Sequence, residues 1–349
     1  MNKIRTVLGD IDPELLGFTH CHEHIFIERD KSAEINPALL LDDYDKSLRE
    51  LKMFRKAGGG ALVDAQPVMA GRMAECLFIA SLESGIHIIA STGFHKTCFY
   101  YDDGYIFRQT EQEIAERYIY EITRGMTASR QGWMLKMNIR AGIIKTAVDT
   151  GGIFADKIYE KLHSAAAIAQ VETGAPVMCH IEKGADAEEV IRFYTNAGVP
   201  AQSIWIAHLD RADNDIGHHK AIASCGAYLE YDTIGRPKYH SNSYECQLIM
   251  DMLKAGYGNK LLLGLDSTRE RLKSYGGNIG LPYLKEVFVP YLKSNGVTED
   301  DIRKLTIDNP KEALQMPGAT NDKQIRTSPS PLQRGSFVSS QNNLTHILK

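Results

Sequence analysis

Short apolar, β-branched runs alternate with longer amphipathic stretches along most of the chain. Eight of the short runs read as strands: "GFTHCHEH" (17–24), "GALVDAQ" (60–66), "IHIIASTG" (86–93), "IRAGIIKTA" (139–147), "PVMCHIE" (176–182), "SIWIAHLD" (203–210), "AYLEYDT" (227–233) and "LLLGLDS" (261–267). Between them, stretches such as "LDDYDKSLRELKMFRKAG", "TEQEIAERYIYEITRGM" and "DKIYEKLHSAAAIAQVETG" carry the helical period. Most such stretches end at glycine, which tolerates the left-handed backbone that stops a helix. Strands alternating with helices over roughly 300 residues predict a (β/α)8 barrel, a TIM barrel, with a doubly wound sheet as the rival. No glycine-rich phosphate fingerprint follows any strand, which counts against a nucleotide-binding version of that rival.

Composition narrows the partners. A chain of 349 residues with 43% apolar and 24% charged residues can bury one large core. The net charge of −4, with no long basic run, gives no reason to expect nucleic acid. The first residues lack a signal-peptide core, and no apolar run is long enough to span a bilayer. Six cysteines, at 21, 76, 98, 179, 225 and 246, lack CxxC spacing and read as reduced thiols. A cytoplasmic protein without membrane partners is expected. From Pro317 onward the chain is rich in Ser, Pro, Gln and Asn and loses its apolar period. The expected organisation is a barrel over 1–316 and a disordered tail over 317–349.

The chemistry gathers at one edge of the expected barrel. His22 and His24 end the first strand, Lys145 the fourth, His180 the fifth, His208 the sixth and Asp266 the eighth. In a barrel these ends converge on the mouth where active sites lie. Alone, a strand-end histidine is more often structural, and Lys145 or Asp266 would pair with a charge or cap a loop. Together they point to a hydrolytic metal site. Strict alternation would also put His20 on the face of His22 and His24, about 7 Å lower. That depth suits packing or a supporting hydrogen bond. Lys145 needs a chemical reason, because an ammonium group repels cations. A neutral amine that captures carbon dioxide becomes a carbamate, whose two oxygens can bridge two metals.

In this order, "GFTHCHEH", "AGIIKTA", "MCHIEKG", "IAHLDRADN" and "LLLGLDST" resemble the phosphotriesterase family of the amidohydrolase superfamily, over roughly residues 8 to 316. The resemblance implies two divalent metal ions, most often zinc. His22, His24 and Asp266 would hold the more buried ion, and His180 and His208 the other. Carboxylated Lys145 (N6-carboxylysine) and a hydroxide would bridge them, with Asp266 taking the proton as the hydroxide attacks. A homodimer is also implied.

The loops after the strands bear on the small-molecule substrate. His95 and Lys96 follow strand three, Arg236 and Lys238 strand seven, Arg269 and Arg271 strand eight. Clustered cations favour an anion over a neutral phosphotriester. These loops resemble the branch of the family that opens phosphorylated sugar lactones, where Lys238 and Arg269 would grip the phosphate. Leu272 departs from that branch, standing where a tyrosine would complete the grip. The expected activity is metal-dependent opening of a lactone or carboxylic ester of an anionic substrate. A phosphotriesterase, an amidase acting on an N-acylated anion and a non-catalytic metal-binding barrel are the alternatives.

Overall fold

The structure is a computed structural model that describes residues 2–128 and 138–318. Eight parallel strands form the barrel: β1 (Thr19–Glu23), β2 (Ala61–Asp64), β3 (His87–Gly93), β4 (Ile143–Val148), β5 (Val177–Ile181), β6 (Ile204–Ala207), β7 (Tyr228–Tyr231) and β8 (Leu261–Leu263). Each is hydrogen-bonded to the next in chain order. A doubly wound sheet would need a reversal of that order, and there is none. The last gap is bridged just beyond the strands, where the Asp266 N–H donates to the His22 carbonyl at 3.0 Å. Beside it the Glu23 carboxylate accepts the N–H groups of Leu265 and Ser267, at 3.0 and 3.2 Å.

Helices cover the outside because their apolar positions recur on one face. In the helix Tyr44–Lys56, Leu48, Leu51 and Phe54 are buried, and Asp43 caps the start by accepting the Lys46 N–H. Thr110 and Glu113 form a reciprocal capping box at the start of Glu111–Thr123. Gly174, at φ 72°, ends Lys157–Thr173. Inside the barrel, Val63, Ile89, Ile143, Met178, Trp205 and Leu262 fill the lower part. Ile4, from the hairpin Asn2–Thr6 and Gly9–Ile11, joins this cluster with Leu16. Met316–Pro317 pairs with Asn2 and Lys3, so pairing reaches Pro317, the first residue of the expected tail. Residues 319–349, nearly all of that tail, lie outside the described residues. Among the described residues no helix is long and apolar enough to cross a membrane.

Several strands stop earlier than the hydrophobic pattern predicts, β6 and β8 by the most. β6 ends at Ala207 and β8 at Leu263, short of His208 and Asp266. Both residues lie in the left-handed region, at φ 63° and 46°. Non-glycine residues there cost on the order of 1–3 kcal/mol each and cluster at functional sites. The strain turns both side chains into the mouth.

Candidate metal centre

The six residues expected at the strand ends meet in one cluster. His22 Nε2 lies 3.2 Å from Lys145 Nζ and 4.0 Å from Asp266 Oδ1, while His24 Nε2 lies 3.5 Å from the same oxygen. The ring of His208 packs against those of His22 and His180, with centroids 4.7 and 4.5 Å apart. Glycine makes two of the close approaches possible. A Cβ on Gly93 would sit 1.9 Å from the Lys145 carbonyl oxygen, and one on Gly264 would crowd the His22 backbone at 3.0 Å.

Behind the histidines stand two carboxylates that the sequence reading passed over. Glu230 Oε2 contacts His22 Nδ1 at 3.0 Å. Asp232 Oδ1 contacts His208 Nδ1 at 2.7 Å, and its Oδ2 accepts the His208 N–H at 3.1 Å. Asp232 Oδ2 also lies 3.1 Å from His22 Nδ1. Carboxylates on Nδ1 fix the ring orientation and leave Nε2 for the mouth, the usual support for metal-binding imidazoles. The signal was present in "LEYD", where Glu230 and Asp232 are two residues apart and so share a face.

Burial sets the protonation states. It lowers His22, takes His180 down to about 4 and holds His208 well below the ordinary value. The same cause raises Glu230 to about 7 and Asp232 well above the carboxylate range. Lys145 is fully buried; its Nζ meets His22 Nε2 and, at 3.4 Å, Met178 Sδ. No carboxylate forms an ion pair with it among the described residues, and burial lowers its pKa. Burial alone would raise Asp266. Arg236, with Nη1 2.7 Å from Oδ2, and the His24 contact outweigh it and hold Asp266 well below the usual range. Buried imidazoles whose charged form is disfavoured at His22, His180 and His208, a carboxylate held ionised at Asp266 and a buried amine form a donor set suited to divalent metals. His22, His24 and Asp266 each offer a ligand atom within 4.8 Å of the others, as do His22, His208 and Asp232. The residues present fit a metal.

His20 leaves the expected face but keeps the expected part in packing and in a supporting hydrogen bond. The pairing of β1 with β2 shifts register between His20 and Glu23, which breaks the alternation. Cys21 lies in the barrel interior, whereas His20 packs at a tilt against Phe54 of the covering helix, with centroids 4.4 Å apart. Its Nδ1 meets Glu23 Oε1 at 2.7 Å, bracing the carboxylate that bridges β1 to the segment after β8.

The mouth opens into a cavity of about 850 Å³. Lys238, Arg236, Arg271 and Arg211 line it. Tyr239 is the common platform: Arg211, Lys238 and Arg236 lie 4.8, 5.3 and 5.6 Å from its ring centroid. Arg271 is tied to the carbonyl oxygens of Ile234 and Gly235, and burial pulls it down to about 10. Arg269, expected beside Lys238, is not brought to the mouth. It donates to the Leu40 carbonyl at 3.3 Å, lies 5.3 Å from the Tyr275 ring and lines an adjoining depression that shares Ala38 and Glu270 with the cavity wall. Leu272 is fully buried in the core. Besides Tyr239, Tyr283 lines the cavity, and its hydroxyl accepts from Asn242 at 2.8 Å. His95 packs 5.0 Å from the His180 ring, and Lys96 is engaged by Glu182 at 2.9 Å and Asp149 at 3.1 Å.

A model of the phosphotriesterase family matches residues 2–314. The chain belongs to the phosphotriesterase family. It is 32% identical to a phospho-furanose lactonase of Mycoplasmopsis synoviae, over 94% of this chain and 96% of that one. An N-acetyltaurine hydrolase of Tetraodon nigroviridis is 29% identical, over 89% and 97%. The crystal structure of a lactonase from Listeria monocytogenes superposes with a TM-score of 0.81 at 29% identity, covering 89% of this chain and 98% of that one.

Proposed function

We propose that this family member is a metal-dependent hydrolase that opens lactones of phosphorylated sugars. The observation carrying the reading is the juxtaposition of the histidine, Lys145 and Asp266 cluster with a mouth lined by Arg236, Lys238 and Arg271. The lactonase relatives support the ester chemistry. His22, His24 and Asp266 would hold one ion, His180 and His208 the other, with Lys145 as a carbamate between them. Zinc fits this donor set. Such ions lower the pKa of a bound water and polarise the carbonyl under attack.

The chain's own residues supply the rest. Asp266 takes up the proton released from the water on a carboxylate oxygen. Arg236 grips Oδ2 and leaves Oδ1 turned toward His24. Glu230 and Asp232 keep His22 and His208 in register. Lys238, with Arg236 and Arg271 nearby, binds the anionic end of the substrate through charge-assisted hydrogen bonds. Tyr283 stands in the cavity that Leu272 does not reach. Six unpaired cysteines support a reducing, cytoplasmic setting, and the family resemblance favours a homodimer.

Amide cleavage is the second reading, favoured by the N-acetyltaurine hydrolase relative, because the same cations would hold a sulfonate as well as a phosphate. A panel of phosphorylated aldonolactones, uncharged lactones, N-acyl taurines and phosphotriesters, run with and without chelator, tests both. Chelator-sensitive turnover highest on phosphorylated lactones supports the proposal. Turnover confined to N-acyl taurines transfers it to the amidase, and turnover untouched by chelator overturns it.

A further inference from the structure

A second group of ligand-type side chains lies beside the mouth and shares no residue with the proposed binuclear centre. Asp210 follows β6, Thr233 follows β7, and His240 and Glu245 flank the start of the helix Asn242–Lys254. Asp210 and Glu245 are both completely buried. His240 Nε2 lies 2.8 Å from Thr233 Oγ1, 3.1 Å from Glu245 Oε2 and 3.5 Å from Asp210 Oδ2.

The available hydrogens do not satisfy these oxygens. Thr233 spends its N–H and its O–H on the same atom, Asp210 Oδ2, at 2.7 and 2.6 Å. His240 Nε2 carries at most one hydrogen, and Thr233 Oγ1 is its nearest acceptor. Among the described residues, no N–H or hydroxyl donates to Asp210 Oδ1 or to either carboxylate oxygen of Glu245 in good geometry. Two buried carboxylates thus meet around one imidazole nitrogen, a charge that either a proton shared between them or a bound cation must offset.

We propose that Asp210, His240 and Glu245, with Thr233 Oγ1 as a fourth donor, form a separate site for a divalent cation of the zinc or manganese class. Two carboxylates balance its charge. Ligand atoms about 2.1 Å from a tetrahedral ion lie roughly 3.4 Å apart, close to the separations around His240 Nε2. The consequence rests on the proposed function. Residues 233 to 245 include Arg236 and Lys238, so a cation joining Thr233, His240 and Glu245 to Asp210 would fix the segment that reads the substrate anion.

The test uses the full-length protein, purified, dialysed against metal-free buffer and crystallised without added metal. Anomalous difference maps at the zinc and manganese edges should show a peak enclosed by Asp210, His240 and Glu245. It should be distinct from any peak beside Lys145. Elemental analysis should find three ions per chain in the wild type and two in Glu245→Gln. No peak at this cluster, with only two ions per chain, would mean that a shared proton holds the carboxylates and would overturn the proposal. Because the map resolves position, a peak here without one beside Lys145 would instead count against the binuclear centre. The wild-type map decides even if Glu245→Gln fails to fold.

Discussion

Arg236 donates to Asp266 across the mouth, Nη1 to Oδ2 at 2.7 Å, and its Nη2 reaches the Asp266 carbonyl at 3.0 Å. One guanidinium thus holds the residue that would accept the proton and faces the cavity that would receive an anion. Asp266 must be ionised to act as a base, and the nearby cation keeps it so as the pH falls. Arg236→Met should therefore move the acid limb of the kcat/KM profile to higher pH. An unchanged limb would remove Arg236 from the electrostatics of the base.

Among the described residues Lys145 has no carboxylate ion-pair partner, and its Nζ sits against His22. Lys145→Ala should lower metal occupancy and turnover by at least the roughly 10–100-fold that loss of a supporting residue costs. Short carboxylic acids should restore part of the activity by standing in for the carbamate. Wild-type turnover in Lys145→Ala without additives would show that no bridge is needed.

The loop cations separate into two groups. Lys238 and Arg271 line the cavity, whereas Arg269 is turned to Leu40 and Tyr275. A charge-assisted contact is worth about 1.5–3 kcal/mol. Lys238→Met should then reduce kcat/KM for a phosphorylated lactone roughly ten- to a hundred-fold while sparing an uncharged lactone. Arg269→Met should change both little. Equal losses on the two substrates would point to a folding defect and remove Lys238 as the anion handle.

What was legible in the sequence follows from what strand order alone dictates. Residues at strand ends are carried to the mouth by any closed parallel barrel, so His22, His24, Lys145, His180, His208 and Asp266 could be grouped before their distances were known. The face of His20 could not, because a register shift in β1 overrides alternation. Loop paths escaped for a similar reason. Arg269 and Arg271 are two residues apart, yet one lines an adjoining depression and the other the cavity. Glu230 and Asp232 carried a readable alternation, but their partners lie elsewhere in the chain, His22 in β1 and His208 just after β6.

Away from the mouth, His163 offers a stability test. It is fully buried, bonded to the Tyr194 hydroxyl at 2.7 Å and the Ala147 carbonyl at 3.1 Å, and burial pulls it down to about 3. In the unfolded chain it titrates near 6.5. The unfolded state therefore binds the extra proton between these values, and stability is lost as the pH falls below about 6.5. Relative to His163→Gln, the wild type should lose about 1 kcal/mol per pH unit between roughly pH 6 and pH 4. Denaturant unfolding at several pH values measures this, and parallel curves for the two proteins would rule out a neutral buried imidazole.

Hydrolysis of a phosphorylated aldonolactone, measured before and after bound metal is stripped and then restored, bears most directly on the metal-centred active site. The purified protein should carry at least two metal ions per chain, lose turnover on chelation and regain it when zinc or manganese is added with bicarbonate. A protein with only trace metal that hydrolyses the lactone at an unchanged rate would contradict the assignment.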